Sequence, residues 1–312
     1  MKLAYHCGLY RRLKVESRAQ KSVGILLGQN PPTAVVGLDD LAEGNREVLG
    51  FAALAIDQEQ VPKLEQAAKS LLVRSGMPEF HGSDFRPQYE TYYDDFLAAI
   101  AEAMESSRHS GVLVRYQSAP RFRSNLNLGE QLLSSSILTK LSKPDAALLN
   151  ALTECSGWLT VLAHSWMDIA PSAASAQVEM DSDTSKEGLK AQVALEGILM
   201  DGQRVVTVWH NAMCSVLARK GLTTCRLARF RIADSMDSVI VQAADVLGNF
   251  SLSHLRLILG CEPGDLARNK IRLLTKHFNP ELPGSISDWT CTGGKLSPGT
   301  SAQDFVLRIS GG

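Results

Sequence analysis

Asp245 stands in the middle of an apolar run, Gln242-Ala243-Ala244-Asp245-Val246-Leu247-Gly248, downstream of Asp234-Ser235-Met236-Asp237-Ser238. An ionised Asp inside such a helix is expensive to desolvate unless it is paired or holds a metal. Three other acidic sites lie upstream, at the ends of strand-like or apolar segments: Asp39-Asp40, Glu79 with His81, and Asp181-Ser182-Asp183. Acids scattered in sequence, each at an element boundary, suggest one divalent-metal site assembled by folding. Hard cations take oxygen ligands, and Mg²⁺ keeps several waters and shares the substrate phosphate. Two such ions about 3.5–4 Å apart can activate a water and stabilise the leaving oxygen of a phosphodiester.

Each acid also has a plainer role. Asp39 and Asp40 could start a hairpin turn, where Asp is favoured. Asp183 suits the cap of a following helix, and Asp237 with Ser238 suits an N-cap. Asp237 precedes Asp245 by eight residues, about 12 Å of helix rise, which is too far for both to hold one ion. Asp245 fits a solvated face poorly, because Val241, Ala244, Val246 and Leu247 surround it. His81 could be a ligand, a general acid or a loop histidine bonded to backbone. The remaining histidines form no ligand spacing. Trp158, Trp166 and Trp209 on helical stripes read as core.

The elements that must position these groups follow from periodicity. Thr33 to Leu38 is a short β-branched run ending in Asp39-Asp40, with Ala34, Val36 and Leu38 on one face and Val35 and Asp39 on the other. Gly44-Asn45 marks a turn, and residues 47–56 form the partner strand of an antiparallel hairpin. Helical spacing follows over 57–73 and 88–105, separated by the loop that carries Glu79 and His81. A third strand covers 111–117. A helical insertion is expected over about 125–170, broken at Lys143-Pro144. Ala176 to Asp181 alternates, with Val178 and Met180 inward and Gln177, Glu179 and Asp181 opposite. Helices are expected over 185–200 and 202–219, a strand over 223–232, and helices over 237–259 and 263–277. Residues 1–32 form a weakly patterned N-terminal extension. From 278 to 312 the chain is rich in Gly, Ser, Pro and Thr and reads as a poorly packed tail. The fold class is α/β, a mixed sheet flanked by helices.

Composition sets the outer bounds. The chain has 312 residues, 45% hydrophobic and 21% charged, enough for a sizeable core. A net charge of −1 gives no global bias toward nucleic acid or membrane. Cys7, Cys155, Cys214, Cys225, Cys261 and Cys291 have neither zinc-finger nor redox-motif spacing, so reduced thiols are expected. No segment approaches the roughly 20 apolar residues of a membrane span, and the expected location is the cytoplasm.

The order of these pieces resembles the DUF3800 family of bacterial domains of unknown function, which is given a ribonuclease H-like fold. Asp234-Ser235-Met236-Asp237-Ser238 with Gln242-Ala243-Ala244-Asp245 is similar to that family's last helical motif. Glu79-Phe80-His81-Gly82 matches its middle segment, and Asp181 its later strand acid. Leu38-Asp39-Asp40-Leu41 keeps the leading acid of the first motif but lacks its Ser-Gly, and Asp40 replaces its Glu. The resemblance spans about residues 33 to 260. It implies a ribonuclease H-like domain over 33–277, with Asp39, Glu79, Asp181 and Asp245 holding Mg²⁺ or Mn²⁺ and His81 beside them. The implied activity is metal-dependent hydrolysis of RNA or DNA. The alternative is a catalytically inactive module that binds nucleic acid or a partner protein in a bacterial defence or mobile-element system. A nucleotide phosphohydrolase is a third reading.

Basic residues are locally clustered. Arg115, Arg121 and Arg123 bracket the third strand's exit; Arg219, Lys220, Arg226, Arg229 and Arg231 surround a later strand; Arg268, Lys270, Arg272 and Lys276 share a late helix. Facing one side, they would form a phosphate track; otherwise they are solvated faces. The block over 129–169 could be a lid or a homo-oligomer interface.

Overall fold

Val48 to Asp57 is apolar at almost every position, as suits a strand covered on both faces. In the computed structural model it forms the centre of a mixed sheet. The described residues are 24–26, 32–42, 47–121, 176–181, 227–282, 286, 288–292, 295–300 and 302–310. Their strands are β1 (Gly24–Leu26), β2 (Ala34–Ala42), β3 (Val48–Asp57), β4 (Gly111–Ser118), β5 (Ala176–Asp181), β6 (Leu227–Ala233), β7 (Phe278–Glu281), β8 (Thr290–Thr292), β9 (Lys295–Ser297) and β10 (Gln303–Ile309). Their longer helices are α1 (Val61–Ser75), α2 (Glu90–Glu105), α3 (Val239–Ile258) and α4 (Asp265–His277). Among the described residues, no helix is long and apolar enough to cross a membrane.

The main sheet runs β1-β6-β5-β2-β3-β4-β10-β7. The expected hairpin is present, with Val35 opposite Ile56 and Asp39 opposite Ala52. On its other edge β2 pairs with β5 in parallel, Gly37 opposite Glu179 and Leu38 opposite Met180. Period-two alternation therefore brings Val35, Asp39 and Leu41 to the same face as Gln177, Glu179 and Asp181.

That face is covered by α3. Ser238 caps the helix by accepting from the Val241 amide, and Val239, Ile240, Ala243, Ala244, Val246, Leu247 and Phe250 are buried. Burial of each large side chain contributes about 1.5–3 kcal/mol. Gly37 sets how closely the helix can lie. A Cβ there would sit 2.2 Å from the Ile240 carbonyl oxygen, so any side chain would lift α3 off β2. Around it, α1 ends in a left-handed Gly76 cap and buries Leu64, Ala68 and Leu71. α2 buries Phe96, Ile100 and Met104, while Tyr92 is only partly buried and donates to the Arg74 carbonyl.

Four expectations need correction. First, the segment after residue 277 is not a loose tail. β7 and β10 belong to the main sheet, and Phe305, Leu307, Trp289 and Leu296 are buried. Gln303, Phe305 and Leu307 alternate inward along β10, a period-two signal hidden by the turn residues around it. Second, the N-terminal extension supplies β1, which pairs antiparallel with β6. Third, Cys261 and Cys291 are joined in a disulfide although 30 residues separate them. Their Cα atoms lie 5.7 Å apart, within bridging range. Fourth, the face of β5 opposite Val178 is inward as well, because Gln177 and Glu179 are buried. The insertion over 125–170 and the helices over 185–219 lie outside the described residues.

Candidate functional site

The segment from Glu79 to Arg86 crosses α3 near its N-terminal half, and apolar anchors hold it there. The Phe80 ring stacks on Phe96 at 4.0 Å and meets Tyr93 edge-on at 5.2 Å. Phe85 packs edge-on against Tyr93 and Phe250. The Tyr93 hydroxyl donates to the His81 carbonyl at 2.7 Å. With both phenylalanines buried, the residues between them are fixed against the helix.

The polar residues leading into and along α3 then engage this segment and β5. The Ser235 hydroxyl donates to Glu79 at 2.6 Å, and Gln242 accepts from the Phe80 amide at 3.0 Å while donating to the Ser235 carbonyl at 2.7 Å. The Gly82 amide donates to Asp245 Oδ2 at 2.6 Å. Ser238 donates to Glu179 at 2.7 Å, and Gln177 donates to the other Glu179 oxygen at 2.5 Å. Glu179 thus lies at the α3 N-terminus, where the helix dipole favours an anion. Ser235 lies in the turn before α3, Ser238 is its cap, and only Gln242 and Asp245 share a helical face, so each residue finds a different partner.

Gly82 admits no side chain. A Cβ there would lie 2.4 Å from Asn249 Cβ and 3.0 Å from the Asp245 carbonyl oxygen. Its own carbonyl accepts from the Lys270 ammonium at 2.8 Å. Lys270, on α4, is buried, donates also to Asn249 Oδ1 at 2.7 Å, and lies over the Phe250 and Phe85 rings. Burial pushes this ammonium down to about 8, although the nearby Asp245 charge pulls it up.

Asp39 and Asp245 are electrostatic neighbours. Asp39 is buried, and its carboxyl is held well above the usual range, first by burial and then by the charges of Asp245, Asp40 and Asp181. Asp245 is close enough that its carboxyl favours the protonated form of Asp39. Burial raises Asp245 as well, opposed by His81, the Gly82 amide, Asp39 and Lys270. Two buried carboxyls that raise one another do not readily carry both charges at once, and a proton or a cation relieves the repulsion.

The sequence-derived candidates therefore divide. Asp181 from β5 and Asp245 from α3 both act on Asp39 of β2. Glu79 is held by Ser235 and is not among the main charges acting on either member of the pair. His81 sits beside the pair, with Nδ1 3.4 Å from Asp245 Oδ2. That nitrogen also accepts from the Ser83 amide at 3.2 Å, and it cannot accept and donate at once. In the neutral ring the Ser83 amide favours an unprotonated Nδ1, and the side chain is half-exposed. Among the described residues, no group of three or more His, Cys, Asp or Glu is arranged to hold a metal ion. The donors present are all hard carboxylate oxygens, and Mg²⁺ needs only one or two of these beside waters and substrate phosphate. The Asp39–Asp245 pair fits that requirement.

Glu179, Lys270 and Asn249 were not singled out as site residues. Glu179 was visible as one of three acids and amides alternating along a strand. Lys270 had a sharper signal, since it precedes Leu273 and Leu274 by three and four positions and so shares their buried stripe. The other basic residues of α4 face carboxylates. Arg268 pairs with Asp265, Arg272 with Glu90 and Lys276 with Asp94. Arg115 pairs with Asp304 through two hydrogen bonds. Compared with known proteins, the chain matches no protein-family model and no curated protein.

Proposed function

We propose that this chain is a divalent-metal-dependent nuclease of ribonuclease H-like build that hydrolyses phosphodiester bonds in RNA or DNA. The observation that carries the reading is the buried Asp39–Asp245 pair beside Asp181, just past the last parallel pairing of β2 with β5, Leu38 opposite Met180. Ligand sites of open α/β sheets favour such strand ends. A buried pair of acids costs stability, and uncompensated costs of this kind cluster at functional sites. The motif resemblance to the DUF3800 family points the same way. So does the sheet order, which sets the first-strand and later-strand acids side by side.

Asp39 and Asp245 would hold Mg²⁺ or Mn²⁺, with Asp181 oriented toward the same charge. Bound there, the ion would supply an activated water and charge neutralisation at the phosphate. The Gly82 amide holds one Asp245 oxygen and so orients the carboxylate. His81, half-exposed beside Asp245, would be the group to donate a proton to a departing oxygen.

The engagement of Glu79 by Ser235 and the lack of a three-ligand group among the described residues favour a second reading. There the same surface binds nucleic acid or a partner protein without turnover. Labelled RNA, DNA and hybrid substrates incubated with Mn²⁺ separate the two. The nuclease reading expects cleavage by the wild type and none by Asp245→Asn. Equal cleavage by both, or none by the wild type in any divalent metal, contradicts it.

A further inference from the structure

We infer that Lys270 is a positioning residue for the Asp39–Asp245 site, acting through Gly82 and Asn249. The inference rests on the metal-site reading above. Lys270 comes from α4, an element that contributes none of the candidate acids. Its ammonium nevertheless ends at the back of the segment that orients Asp245. The Gly82 carbonyl and Asn249 Oδ1 accept from it at 2.8 and 2.7 Å, while the Gly82 amide donates forward to Asp245 at 2.6 Å. The residue is thus gripped from both sides, by an acid in front and an amine behind. No side chain at 82 supplies a third hold, because Asn249 Cβ fills that space.

Burying an ammonium is costly, and a Met of similar length would fill the same apolar slot between Phe85 and Phe250 without that cost. Retaining the amine makes sense where its two directed hydrogen bonds set a geometry. Two further contacts hold α4 against α2, Arg272 to Glu90 and Lys276 with His277 to Asp94. The amine is therefore delivered by a helix that is itself fixed.

Simple electrostatics and positioning give opposite signs. Removing a positive charge near two acids should tighten a divalent cation. Loosening the group that orients a ligand should weaken it, typically 10–100-fold for such outer partners. The test is calorimetric titration of Mn²⁺ into the full chain, wild type against Lys270→Met, with thermal melts to establish folding. Positioning expects the folded variant to bind Mn²⁺ about tenfold more weakly despite the lost charge. Unchanged or tighter binding overturns the inference and leaves the metal site standing. Should Lys270→Met not fold, Asn249→Ala removes one acceptor of the amine with no change of charge. It is expected to weaken Mn²⁺ about threefold, a partial loss of the same hold, and unchanged affinity would overturn the inference. No Mn²⁺ binding by the wild type sinks the metal site, and the role of Lys270 with it.

Discussion

Asp39 and Asp57 lie on the same hairpin, near opposite ends, and their carboxyls are driven in opposite directions. Asp57 closes β3, where burial alone would raise it. The Arg108 and His109 amides at 2.8 and 3.2 Å and the His109 ring at 2.8 Å outweigh that, and the carboxyl is held below its usual range. Asp39 is buried with a second carboxyl as its neighbour and is held above its usual range. One aspartate is surrounded by donors and staples a turn. The other has further acids as its charged neighbours among the described residues, and a proton or a cation relieves their repulsion. The difference separates an acid kept for stability from one kept at its expense.

Breaking the metal end should have the largest effect. Asp245→Asn is expected to reduce Mn²⁺-dependent cleavage more than about 100-fold, beyond the usual cost of losing an outer partner. Its melting curve should remain cooperative. Gly82→Ala should come next. The new methyl displaces the segment from Asn249 and Asp245, so Mn²⁺ affinity should fall about tenfold, with a loss of stability of about 1–3 kcal/mol for overpacking. Calorimetry and a denaturant titration measure the two parts.

The hairpin comparison itself predicts opposite signs. Asp57→Asn should destabilise the protein by about 1–2 kcal/mol, allowing for partial exposure, and leave cleavage unchanged. Asp39→Asn should raise the melting temperature at neutral pH without added metal. The pH dependence follows from the two shifts. Asp57 has a depressed folded value, so its contribution is present above the ordinary aspartate value of 3.8 and is lost as pH falls through the folded value. Asp39 has a raised folded value, so its contribution is full below 3.8 and is lost as pH rises through the folded value. Melts of both variants across acid to neutral pH should therefore converge on the wild type in acid and diverge in opposite directions above it. The smallest effect belongs to the exposed Arg272–Glu90 pair, where Arg272→Ala should cost less than about 0.5 kcal/mol.

Much of this was legible in the sequence where periodicity and chemistry agreed. The hairpin, β5 and α3 all announce themselves by spacing, and Asp245 stands out because its neighbours are apolar. What was not legible depended on contacts distant in sequence. Asp245 and Gly82 are 163 residues apart, and nothing local says that an amide will take one oxygen of that acid. The same holds for Cys261 with Cys291. β10 was missed for a different reason, since its short alternation is flanked by turn residues that dominate its composition. The basic residues of α4 misled as a group. Their spacing on a helix is real, but each is drawn to a separate acid or, for Lys270, into the core.

The most direct test of the central claim is the effect of Mn²⁺ on the melting temperature of the wild type and of Asp39→Asn at neutral pH. If the two acids form a cation site, Mn²⁺ should raise the wild-type melting temperature. Asp39→Asn should start higher and respond little. Equal shifts in the two proteins, or none in the wild type, would contradict it.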